Sequence, residues 1–116
     1  MILDGARIYD EGVGIDLRNE EKIRRIISAI KQISPSAEIS ARFLKAGAFY
    51  EGMLWGKVNN IPIGAYNRGP TMAHVLESLY RRVKKECFKI WRLNRSQLRS
   101  TGENQANSKS PLAVAS

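Results

Sequence analysis

The side chains in this sequence with chemistry to offer are mostly cations. The stretch "LYRRVKKECFKIWR", from Leu79 to Arg92, interleaves Arg81, Arg82, Lys84, Lys85, Lys89 and Arg92 with apolar residues, and "EEKIRRIISAIKQIS" adds Lys22, Arg24, Arg25 and Lys31. Lys and Arg number 19 against 11 Asp and Glu, a formal net charge of +8. Such an excess concentrates polyanions around the chain and favours contact with phosphates, which makes nucleic acid or an anionic membrane the leading partner class. Without a groove-reading motif, Lys and Arg confer affinity for a phosphate backbone more than for a base sequence, and shape recognition of structured RNA fits that chemistry.

The reactive groups are sparse by comparison. One cysteine, Cys87, excludes an intrachain disulfide framework and leaves no Cys set for zinc. It falls on an apolar stripe, where a free thiol behaves as a small hydrophobe rather than a nucleophile. The one histidine, His74, falls on the polar side of a helix's first turn with no second metal ligand or orienting acid in view. Asp4, Asp10, Glu11 and Asp16 are spaced like no metal-ligand loop and read as surface groups. "NRGP" holds one glycine and no phosphate-loop lysine. Phe88 and Trp91 can stack on a base, although packing is the commoner use of such rings. An enzyme, a metal centre and a cofactor are therefore not expected. No apolar run approaches the roughly 18 residues of a membrane span, and "MILDGARIYD" carries acids where a secretory signal has an apolar core. Cytoplasm is the expected location, with no membrane partner.

These cations need elements to hold them. At 116 residues, 43% hydrophobic and 26% charged, the chain suits a single domain with one core. Ile23, Ile26, Ile27, Ile30 and Ile33 recur at helical spacing, with Asn19 as the expected N-cap and Ser34-Pro35 as the stop. Upstream, Val13, Ile15 and Leu17 alternate as in a half-buried strand. After Pro35 the period changes to two: Ile39, Ala41 and Phe43 face one way, Glu38, Ser40 and Arg42 the other. Asn59-Asn60 between "LWGKV" and "IPIGAY" predicts a two-residue hairpin turn pairing Val58 with Ile61, Gly56 with Ile63 and Leu54 with Ala65. Pro62 lacks an amide donor, so its side of that strand is expected to be an edge or a non-bonded site. Tyr50, Trp55 and Tyr66 fit either face of the sheet. Thr71 is the expected cap of a second helix carrying Met72, Val75, Leu76, Leu79, Val83 and Cys87 on its buried stripe. The order strand, helix, three strands, helix predicts an α+β domain over 1–94, βαβββα, with both helices on one face of a four-stranded, antiparallel-rich sheet. Residues 95–116, rich in Ser, Asn and Gln, read as a disordered polar tail.

On the second helix, at about 100° per residue, Arg81, Arg82, Lys85, Lys89 and Arg92 fall on the outer and flanking surface, with Lys84 nearer another flank. Only Glu77 and Glu86 offset them. If the two helices lie side by side, Lys22, Arg24, Arg25 and Lys31 extend the same positive surface. The alternative is a solvated face that merely keeps the chain in solution.

The element order, together with "VNNIPIGAYNRGPTMAHVLESLYRRVKKECFK", resembles the ribosome hibernation-promoting factor and protein Y family, also called sigma-54 modulation proteins, over roughly Ala6 to Leu93. In "TMAHVLE", Thr71 stands in place of the family's capping acid, Met72 is retained, Ala73 replaces a tyrosine and Glu77 replaces a second acid. In the first helix, Ile26 and Ala29 stand where relatives often carry lysine. The resemblance is to the short forms and implies a βαβββα fold. It also implies binding to the small ribosomal subunit in the decoding region, with Arg82, Lys85 and Lys89 on ribosomal RNA, blocking messenger and transfer RNA. Lys22, Arg24, Arg25, Lys31, Arg81 and Arg92 enter on charge alone. The expected function is thus non-enzymatic RNA binding through basic helices. The rivals are a protein-interaction module using the open sheet face or edge, with a protein partner and an oligomeric state that sequence leaves open, and a DNA-binding accessory protein.

Overall fold

A computed structural model describes residues 1–107, with side-chain surroundings through 93. The elements are β1 (Ile2–Leu3), β2 (Ala6–Glu11), α1 (Leu17–Ile33), β3 (Glu38–Ala46), β4 (Phe49–Val58), β5 (Ile61–Gly69) and α2 (Met72–Asn107). The sheet runs β1-β2-β3-β4-β5, parallel between β2 and β3 and antiparallel elsewhere. The architecture is the expected α+β, but the sheet has five strands rather than four. The extra strand, β1, is too short to show a period; Asp4 (φ 49°) and Gly5 (φ 85°) turn it tightly back onto β2.

Both helices bury their apolar stripes on one sheet face. Ile23, Ile26, Ile27 and Ile30 of α1, and Met72, Val75, Leu76, Leu79, Val83, Cys87 and Ile90 of α2, join Ala6, Ile8, Ile39, Ala41, Phe43, Leu54, Val58 and Ile63 in one core. Burying each large aliphatic side chain contributes about 1.5–3 kcal/mol, so the isoleucine stripe alone accounts for much of the docking of α1. Gly52 of β4 sets how closely α2 approaches. A Cβ at that position would lie 2.8 Å from Val75 Cγ1, 2.9 Å from Phe43 Cδ1 and 3.0 Å from Leu79 Cδ1. The bare backbone of Gly52 makes the recess into which the first turns of α2 settle.

The hairpin is as the sequence predicts. Asn59 (φ 52°) and Asn60 (φ 65°) both adopt the left-handed conformation, and Val58 pairs with Ile61, Gly56 with Ile63 and Leu54 with Ala65. Pro62 lies on β5, an edge strand. Thr71 caps α2, its Oγ1 accepting from the His74 amide at 3.1 Å. Ser34 ends α1 by donating its amide to the Ile30 carbonyl at 3.1 Å.

The N-terminal segment departs from expectation. The first long strand is Ala6–Glu11, not the alternating stretch around Val13–Leu17. Up to Asp16 that stretch is a loop wound around the Asp10 carboxylate, which accepts from the amides of Val13 (2.9 Å), Gly14 (3.3 Å) and Ile15 (3.0 Å), and Leu17 already begins α1. Val13 and Ile15 still pack against the core, and this produces the alternation without a strand. The N-cap of α1 is Asp16 rather than Asn19: its Oδ1 accepts from the Asn19 amide at 2.8 Å. α2 continues as backbone helix to Asn107, past the boundary expected at 94, and the rest of the expected tail, 108–116, lies outside the described residues.

Candidate nucleic-acid interface

α1 and α2 lie side by side and point the same way. Lys22 Nζ reaches Glu77 Oε2 at 3.2 Å; further along both helices, Ala29, Gln32 and Ile33 of α1 face Lys84, Cys87, Phe88 and Trp91 of α2 across a shallow groove. This parallel arrangement follows from the topology, because each helix runs back over a sheet in which β3 and β5 share a direction.

The side-by-side packing divides the cations into three groups. Arg81, Lys85 and Arg92 are exposed and project from α2 opposite Leu79, Val83 and Ile90, at about 100° of helix rotation per residue. Arg25 projects outward from α1. The same offset that joins Lys22 to Glu77 sets Arg25 level with Tyr80 and Arg81. Lys84, between the helices, stands 5.2 Å from the centre of the Tyr80 ring. Among the described residues, none of these five cations has a carboxylate within salt-bridge distance. They form an outward ridge of uncompensated charge.

The second group lies on the far flank of α1. Arg24 is held by Asp4 (2.6 Å) and Glu20 (3.2 Å), and Lys31 Nζ lies so close to Gly5 that a Cβ there would be 2.7 Å away. Lys22 is occupied by Glu77 across the helix pair. The third group, Arg82 and Lys89, occupies the opposite flank of α2, away from α1. Lys89 is 3.8 Å from Glu86 but its side chain is 71% exposed, so this contact scarcely restrains it. The nine cations singled out in the sequence therefore do not make one surface. Arg25, Arg81, Lys85 and Arg92 come together; Arg24 and Lys31 turn one way, and Arg82 and Lys89 the other. Lys84, which sequence reasoning set aside, completes the ridge. Its spacing of seven residues from Glu77 marks both as α1-facing, once Lys22 is seen to reach Glu77.

At the end of the ridge, the Phe88 and Trp91 rings stack with centroids 5.9 Å apart, and the Arg92 guanidinium lies 5.7 Å from the Phe88 ring centre. Both rings remain substantially exposed. Beneath them, burial and then the Glu86 charge push the Cys87 thiol above its ordinary pKa, which suits packing and not nucleophilic attack. The acids each have a structural partner: Asp4 on Arg24, Glu11 on Arg42 at 2.7 Å, Asp10 on loop amides and Asp16 on the α1 cap. Among the described residues, no three His, Cys, Asp or Glu side chains converge as a metal site would need, and no helix is long and apolar enough to cross a membrane.

No protein-family model and no curated protein sequence matches the chain. Solved structures do. A ribosomal subunit interface protein from Coxiella burnetii superposes with a TM-score of 0.58 at 16% identity, over 73% of this chain and 94% of that one. The protein Y N-terminal domain of Thermus thermophilus superposes with a TM-score of 0.53 at 8% identity, over 68% of this chain and 93% of that one. The fold implied by the resemblance in "VNNIPIGAYNRGPTMAHVLE" is the fold that these structures share with the chain.

Proposed function

We propose that this chain is a non-enzymatic RNA-binding protein of the hibernation-factor type, which docks on small-subunit ribosomal RNA through the outer ridge of its helix pair and occludes translation. The observation that carries the reading is the ridge itself: Arg25, Arg81, Lys84, Lys85 and Arg92 carry charge that no described carboxylate neutralises. The fold shared with a ribosomal subunit interface protein supports the choice of partner. Phosphates from a folded RNA fit side chains spread along the helix axes, because such contacts depend on backbone shape and not on base sequence. Arg82 and Lys89 reach RNA that wraps the flank of α2. Arg24, Lys22 and Lys31 act mainly within the protein. The mechanism is steric: a compact domain held by phosphate contacts occupies space that another RNA needs, and it requires no cofactor. Such a protein works in the cytoplasm.

Sedimentation with purified small ribosomal subunits at low salt tests the reading. Wild type should pellet with the subunit and be released as salt rises. Failure to co-sediment at low salt refutes it, as does release that is indifferent to salt.

A further inference from the structure

The sheet face turned away from the helices is bare, and it is not bland. Cross-strand register lines up Arg7, Ser40, Trp55 and Gly64 in one row across β2 to β5, with Tyr9 one row along on β2. Its cross-strand neighbours in that row, Ser40 and Gly64, are small, and a Cβ on Gly64 would meet nothing nearer than the Leu54 carbonyl at 3.8 Å. The Trp55 ring is parallel to Tyr9, with an interplanar angle of 3° and centroids 6.5 Å apart. Trp55 is 42% exposed and Tyr9 47%. Beside them opens a hollow of about 490 Å³ whose walls include Arg7, Lys57, Ser40 and Glu38. That volume lies within the roughly 300–1,000 Å³ of small-ligand sites.

We propose that this face is a second nucleic-acid surface, which takes an unpaired RNA strand by stacking bases on Trp55 and Tyr9 and seating the adjoining phosphates on Arg7 and Lys57. Parallel exposed rings give bases a common stacking direction, and every base has a face to offer. A duplex cannot use them, because its bases are already stacked on one another. Charge agrees with a polyanion. Among the described residues, Arg7 and Lys57 have no carboxylate within salt-bridge distance; Glu38, opposite Lys57 in the register, is the one acid in the hollow against these two cations, while Glu11 is engaged by Arg42 at 2.7 Å and Glu51 by the Tyr66 hydroxyl. A protein partner would be better served by a continuous apolar patch than by rings set among Arg, Ser and Gly. The surface lies across the sheet from the helix ridge, so its chemistry does not depend on that ridge.

The test uses the full chain carrying Trp91→Phe, which leaves Trp55 as the one tryptophan reporter. Titration with a short single-stranded oligoadenylate at near-physiological salt should quench Trp55 emission saturably, and the matching blunt RNA duplex should not. Trp55→Ala and Tyr9→Ala should each weaken oligoadenylate binding roughly five- to a hundred-fold by anisotropy, with Trp55→Phe restoring most of it. Arg81→Gln/Lys85→Gln, which impairs the ridge, should leave the oligoadenylate affinity within about two-fold. Circular dichroism confirms that each variant is folded. Quenching by duplex equal to that by single strand overturns the proposal. So does full oligoadenylate affinity in folded Trp55→Ala, or loss of that affinity in the ridge variant. If Trp55→Ala instead converts a self-associated species to monomer while RNA binding is unchanged, the face belongs to a second copy and the proposal is wrong.

Discussion

Neutralising Arg81 and Lys85 together, as Arg81→Gln/Lys85→Gln, removes two charges from the middle of the ridge without touching the core. Each lost phosphate contact flattens the slope of log affinity against log salt by about 0.9 for a duplex-like RNA. Over a four-fold rise in salt, one contact is then worth about 3.5-fold in affinity and two about 12-fold. A wild type using all five ridge cations loses about 510-fold over the same range, and the double variant only about 42-fold. The geometry supplies its own control. Arg24→Gln removes the same formal charge, but one already held by Asp4 at 2.6 Å and Glu20 at 3.2 Å, so its slope should match wild type. Electrophoretic mobility shift with a small-subunit ribosomal RNA fragment, at several salt concentrations, reads both. The reasoning is refuted if Arg24→Gln flattens the slope as much as half of the double variant's effect, or if the double variant leaves it unchanged.

Two further outcomes concern what holds the ridge in place. Gly52→Ala puts a methyl within 2.8–3.0 Å of Val75, Phe43 and Leu79, and should cost about 1–3 kcal/mol in urea unfolding with little change in m; a neutral result would mean that α2 can lift without penalty. Asp10→Ala should destabilise at neutral pH by about 1 kcal/mol, a modest figure because water screens this largely exposed group. Burial raises the Asp10 pKa, but hydrogen bonds from Ile15, Val13 and Gly14 outweigh it and hold the carboxyl below its usual 3.8. The contribution is therefore complete above 3.8 and fades as pH falls through the lower folded value, so the gap between variant and wild type should close in acid unfolding curves.

Local signals were legible where a few neighbours in the chain decide the outcome. The isoleucine spacing of α1, the Asn59-Asn60 turn and the Thr71 cap each rest on contacts within a few residues, and each is found as read. Val13, Ile15 and Leu17 misled because two partly buried loop residues, Val13 and Ile15, followed by the exposed first residue of α1, imitate the period of a strand; what decides it is the Asp10 carboxylate gathering three amides. The charged surface was the least legible part. Arg24 and Arg25 are adjacent in sequence, yet one is bound by Asp4, 20 residues upstream, and the other has no acid partner among the described residues. Lys22 meets Glu77 across 55 residues. Which cations stay available is set by tertiary partners, and no helical wheel contains them. Likewise Trp55 and Tyr66 had no assigned side until β3 fixed the phase; both face away from the helices, while Tyr50 packs against the core.

The edges of the sheet bear on how this chain behaves at high concentration. Exposed strand edges template aggregation by pairing with another molecule's backbone. Here one border is β1 followed by the end of β2 that it leaves uncovered, Tyr9 to Glu11, which carries two acids; the other is β5, where Pro62 withholds a donor near its start. When many copies are crowded together, those charges and that proline work against strand addition between them.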